Sequence, residues 1–120
     1  MDATPFAQDC GFLAEWPGLP VADVEGEIIS KALGRYRSVV LAHHGFLCAT
    51  ASIEETAYLS MLIENAAQLQ LLAEATGRVS DLDPELSRES HDFLLRPEIV
   101  RSSFAMFARR VLRASSDPIL

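Results

Sequence analysis

A chain of 120 residues with 49% apolar composition has the size of one domain or a piece of one. Its net charge of −7 and pI near 4.8 exclude nucleic-acid backbones and acidic membrane surfaces as partners, since both demand clustered Lys and Arg. Two cysteines, Cys10 and Cys48, are too few for a disulfide framework and point to a reducing, cytoplasmic setting; no export signal opens the chain, and no run reaches the ~18 apolar residues of a membrane span.

Residues 1–22 hold three prolines, two glycines and the aperiodic apolar residues Phe12, Leu13 and Trp16, which predicts an irregular arm lying against something else and ending in Trp16-Pro17-Gly18-Leu19-Pro20. Asp23 is a candidate N-cap for a helix of about ten residues that Gly34 stops. Val39-Val40-Leu41 reads as a strand covered on both faces, and Phe46-Leu47-Cys48-Ala49 as its successor across a tight turn in which Gly45 supplies the positive φ.

Ser52, with Glu55 three residues later, has the form of a capping box, and no Pro or Gly follows until Gly77. The apolar positions of this long helix spread well beyond a single stripe, so it should be buried on more than one side, by other subunits or by further parts of the domain. Asp83-Pro84-Glu85 opens a third helix and Arg96-Pro97 closes it. Val100, Phe104, Phe107, Ala108, Val111 and Leu112 then mark one face of a fourth, and residues 115–120 form a frayed tail. Six of the ten basic residues fall between Arg88 and Arg113, a strip that reads as a solvated helix face.

His43 and His44, at the exit of an apolar strand, are either turn histidines bonded to backbone or ligands, and on extended backbone the pair would face opposite ways, so at most one binds a given ion. His91 reads as a solvated polar-face residue. Glu54 and Glu55 are favourable charges at a helix N-terminus, whereas Glu64, mid-helix among apolar neighbours, suggests a buried pair with Arg. No nucleophile elbow, phosphate-binding loop, C-x-x-C or H-E-x-x-H motif occurs.

Taken together, Val39-Val40-Leu41-Ala42-His43-His44-Gly45-Phe46-Leu47, Ser52-Ile53-Glu54-Glu55-Thr56-Ala57 and Ile63-Glu64-Asn65-Ala66-Ala67 resemble the C-terminal half of the class II aldolase/adducin family, over about Phe12 to Leu112. Trp16-Pro17-Gly18 and His91-Asp92-Phe93-Leu94 add to the likeness. The resemblance implies a three-layer α/β architecture, here cut to a mainly helical piece with a short two-stranded β element, residues 23–114 being the C-terminal part of the domain. It also implies a homo-oligomer and a divalent metal, commonly Zn²⁺, held by three histidines, the last of which stands before glycine and corresponds to His44. His43 inherits at most a contact to substrate or to a ligand.

The implied chemistry is metal-dependent retro-aldol cleavage or epimerisation of a small hydroxycarbonyl compound or sugar phosphate. The family's upstream His-x-His pair and its acid/base carboxylate have no counterpart, since no histidine precedes His43 in the chain. No catalytic residue is therefore assigned, and the chain alone is expected to be inactive. Two rival readings are a non-catalytic interaction module, as in adducins, and a decayed fragment.

Overall fold

A computed structural model describes residues 3–15 and 22–114. The expectations for Trp16–Pro20 and the tail at 115–120 lie outside the described residues; Asp23, expected to precede a helix as its cap, has helical backbone and follows the helix's first residue, Ala22. The chain runs through a 3-10 turn (Thr4–Phe6), β1 (Cys10–Leu13), α1 (Ala22–Leu33), β2 (Ser38–Leu41), β3 (Gly45–Cys48), α2 (Ile53–Glu74), α3 (Pro84–Leu94) and α4 (Pro97–Ala114).

The sheet has three strands in the order β1-β2-β3 rather than the two expected from the sequence. The additional strand lies in the supposedly irregular arm and pairs parallel to β2, Gly11 opposite Val39 and Leu13 opposite Leu41. Four residues containing a glycine give no strand signal by themselves. Parallel pairing across the α1 crossover makes β1 a strand, and that link is tertiary.

Register explains the layers. Gly11, Val39 and Leu47 point to one side of the sheet, and Phe12, Val40 and Phe46 to the other, because side chains alternate and paired residues share a face. α1 packs on the first side, so close to β1 that a Cβ on Gly11 would lie 2.3 Å from the carbonyl oxygen of Ala32. α2 covers part of the second, where its Ser60 and Met61 lie beside Phe46. Helix, sheet and helix therefore stack as a small three-layer α/β/α unit, and β2 is buried from both sides, Ser38 and Val39 completely.

Local signals hold at the helix ends. Gly34, at φ +52°, donates its amide to Ser30 and stops α1. Ser52 is extended and its Oγ accepts the amide of Glu55 at 3.2 Å. Asp83 Oδ1 accepts from Glu85 and Leu86, with Pro84 opening α3 as anticipated. The capping box, however, is half of one. The Glu55 carboxylate turns instead to Arg37, with Oε1 3.0 Å from Nε.

Tyr58 and Leu62 of α2 and Val100 of α4 form the main cluster, backed by Phe6, Leu95 and Phe107. α2 spans 22 residues, about 33 Å, and only its first half is covered by this chain. Leu71 and Leu72 stay 69% and 67% exposed. The surplus of apolar surface inferred from the helix composition is thus present, and the described residues do not bury it.

Two glycines with opposite surroundings test this packing by urea denaturation. Gly11→Ala, which forces a Cβ into the backbone of α1, should cost about 1–3 kcal/mol. Gly26→Ala, in the interior of α1 with open space around it, should stabilise by about 0.5–1 kcal/mol.

Candidate functional site

The end of β2 delivers the two adjacent histidines into the hairpin turn. The amide of His44 donates to the carbonyl of Leu41 at 3.1 Å, and Gly45, at φ +147°, begins β3. Gly45 has the positive φ expected of it, and His43 has one too, at +63°, where a side chain is strained. The backbone bends at His43 itself, so the alternation that would send the two imidazoles to opposite faces does not apply there. Both histidines are exposed at the tip of the sheet.

Among the described residues, no three His, Cys, Asp or Glu side chains lie close enough together to hold a metal ion. His44 stands at this tip, and among the described residues no such group gathers around it. A three-histidine metal centre does not fit within the described residues alone.

A second constellation, at the opposite end of β2, was not legible in the sequence. Asp9, on the approach to β1, is a buried carboxylate whose side chain is 11% exposed. Its Oδ1 accepts the backbone amide of Arg37 at 2.9 Å, and its Oδ2 accepts both Nη1 of Arg37 and Nε2 of His91, the latter at 3.1 Å. The Asp9 carbonyl accepts from Ser38 Oγ at 3.1 Å. One short segment thereby engages the start of β2, the first turn of α2 through Arg37–Glu55, and the end of α3 through His91.

His91 is consequently no solvated face residue. Its side chain is 14% exposed, and its Nδ1 lies 2.8 Å from Asp92 Oδ1 while Nε2 meets Asp9. Carboxylates accept and do not donate, so both contacts are hydrogen bonds when the ring carries both protons. Glu64 departs from expectation in the opposite sense. It is exposed and accepts from Gln68 Nε2 at 3.0 Å, one turn along the same helix, so the buried carboxylate paired with Arg is Asp9. An acidic residue at the edge of a Pro- and Gly-rich segment offers no periodicity from which its burial could have been read.

The electrostatics follow from these partners. Burial pushes the Asp9 carboxyl up, but hydrogen bonds from the Arg37 amide and guanidinium and from His91 outweigh it and hold the group below its ordinary value of 3.8. Burial works against the charge on Arg37, and Asp9 and Glu55 more than restore it. Burial raises the Cys48 thiol, which suits a reduced, inert side chain. Cys10 and Cys48 both pair with Ser38, one on each side of β2. Two strand spacings, about 9.6 Å, separate them, beyond disulfide reach.

Residues 4–71 match the sequence model of the Class II Aldolase and Adducin N-terminal domain. The chain belongs to that family. The match begins in the arm, at the 3-10 turn that precedes Asp9 and β1, and so takes in the strand the sequence concealed. The chain is 29% identical over 87 residues to the decarboxylase NovR of Streptomyces niveus, covering 72% of this chain and 32% of that protein. It is likewise 29% identical over 87 residues to the 4-hydroxy-3-prenylphenylpyruvate oxygenase/4-hydroxy-3-prenylbenzoate synthase of Streptomyces roseochromogenus subsp. oscitans, covering 72% of this chain and 31% of that one.

The chain therefore spans about a third of the length of the curated relatives it matches. In structure it is similar to an L-fuculose 1-phosphate aldolase from Glaciozyma antarctica PI12, with a TM-score of 0.77 at 20% identity, over 92% of this chain and 41% of that one. That likeness establishes the truncated aldolase-type α/β fold.

The Asp9 network predicts a pH dependence of definite sign. A carboxyl held below its unfolded value contributes stability that is complete above about 3.8 and lost as pH falls through the lower folded value. Arg37→Met should therefore cost about 1–3 kcal/mol at pH 7, less than for a fully buried pair because the Arg37 side chain is 42% exposed. Urea denaturation between pH 7 and pH 3 checks this, and the gap between variant and parent should narrow toward the acid end.

Proposed function

We propose that residues 23–114, with the strand of the arm, are the C-terminal part of a class II aldolase-type domain whose parent chemistry is metal-dependent retro-aldol cleavage or epimerisation of a small hydroxycarbonyl or sugar-phosphate substrate. Family membership carries this reading, together with the placement of His44 directly before Gly45 at the tip of the sheet. His44 is the one metal ligand the chain contributes, the metal being a divalent ion such as Zn²⁺, and His43 contacts substrate or a neighbouring ligand. The remaining ligands and the acid/base carboxylate are supplied from outside this chain, so the chain alone is inactive.

No helix among the described residues is long and apolar enough to cross a membrane, and the reduced cysteines agree with a cytoplasmic enzyme of carbohydrate metabolism that works as a homo-oligomer. The relatives named as a decarboxylase and an oxygenase/synthase keep the reaction class of this branch broader than aldol cleavage.

A second reading has its own observation. The apolar residues left exposed on the second half of α2 and on the facing side of α4 suit an interaction module of the adducin kind, in which the fold serves association and the metal is dispensable.

Metal content separates the two. The 120-residue chain by itself is expected to hold far less than one divalent ion per chain by mass spectrometry. A hybrid in which it replaces the matching part of the Glaciozyma aldolase is expected to hold about one and to cleave L-fuculose 1-phosphate, with His44→Ala lowering both by roughly 100-fold, more than the loss of a supporting residue would. A folded hybrid whose metal content is indifferent to His44→Ala would remove His44 from the site and leave the interaction module.

A further inference from the structure

The N-terminal ends of α2 and α4 and the C-terminal end of α3 meet beside Arg37 around an open cleft of about 400 Å³. Its lining combines the apolar Leu95, Pro97 and Val100 with charges of both signs. Arg37 faces it with two of its three guanidinium nitrogens already engaged by Asp9 and Glu55, leaving Nη2. Arg101 and Glu54 line the same cleft and, among the described residues, pair neither with each other nor with any other group.

Two opposite charges that line one cleft without pairing are complementary to a ligand that carries both. We infer that this cleft binds a small zwitterion of the α-amino-acid type with an apolar side chain. Its carboxylate is received by Arg101 and the remaining Nη2 of Arg37, where planar guanidinium donors match a carboxylate. Its ammonium is received by Glu54, and its side chain rests on Leu95, Pro97 and Val100. The volume lies within the range of small-molecule sites, and an apolar lining with a few convergent polar groups is their usual chemistry.

The position separates this site from the one proposed above. Arg37 precedes β2 and His44 follows it, so the length of a four-residue strand, roughly 13 Å, lies between them. A ligand in the cleft is therefore remote from the reacting atoms at the sheet tip. It lies between the starts of α2 and α4, beside the Arg37 that the Asp9 network braces.

Titration calorimetry on the 120-residue chain tests this with L-leucine, N-acetyl-L-leucine, which lacks the ammonium, and L-leucinamide, which lacks the carboxylate. L-leucine should bind saturably at one site, and each derivative should bind about tenfold more weakly or worse, the loss expected for one charge-assisted hydrogen bond. Glu54→Gln should abolish the discrimination against N-acetyl-L-leucine, and Arg101→Met the discrimination against L-leucinamide. Arg101 is exposed and Glu54 half-buried, and circular dichroism verifies that the variants are folded. Absence of binding by L-leucine up to about 10 mM, or indifference to the loss of either end group, overturns the inference. Neither result bears on His44, whose metal is read separately.

Discussion

Everything in this small unit turns on the burial of one carboxylate. Asp9 sits where the arm enters the sheet, and each of its oxygens is bonded to a group from a distant part of the chain: the Arg37 amide and guanidinium, the Ser38 hydroxyl and the His91 imidazole. Removing such a group from water is costly unless its acceptors are filled. The fold meets that condition only when β1 is paired to β2 and α3 is packed against the 3-10 turn. The same contacts that satisfy Asp9 therefore specify where the arm lies, and they explain how four residues containing a glycine become a strand.

The histidine tip depends on this brace indirectly. β2 is the central strand, fixed at its beginning by the Asp9–Arg37 contacts and covered on both sides, and His43 and His44 ride on its far end. A strand held in register by buried neighbours gives the turn a defined place, which a loop on an unbraced arm would lack. The strain at His43 is tolerated because Leu41 and Gly45 are paired on either side of it.

What could be read from the sequence follows the range of each signal. Ser52, Asp83, Pro84 and Gly34 act within one helical turn, and the structure places each in its expected role. Val39 to Leu41 read correctly as a doubly covered strand because an uninterrupted apolar run requires cover on both faces. β1, the burial of Asp9 and the role of His91 depend on residues about 28 and 82 positions apart, which no local pattern encodes. Apolar neighbours along α2 suggest burial for Glu64, but among the described residues nothing covers that face of the helix and the side chain is exposed. The resemblance to the aldolase family was carried by the His-His-Gly turn with its capped helix, and it gave the fold where composition would have stopped at a mixed α/β piece.

The three-stranded sheet also has two outer sides. Among the described residues β1 is bonded to β2 along one margin only, and β3 likewise, so each presents a row of backbone donors and acceptors outward. Phe12, on β1, stands 66% exposed beside such a margin. A sheet of this kind is extensible: further strands can be added at either border without altering a single bond among the three already present. The unit is thus shaped as an interior tile, able to keep its own register inside a wider sheet.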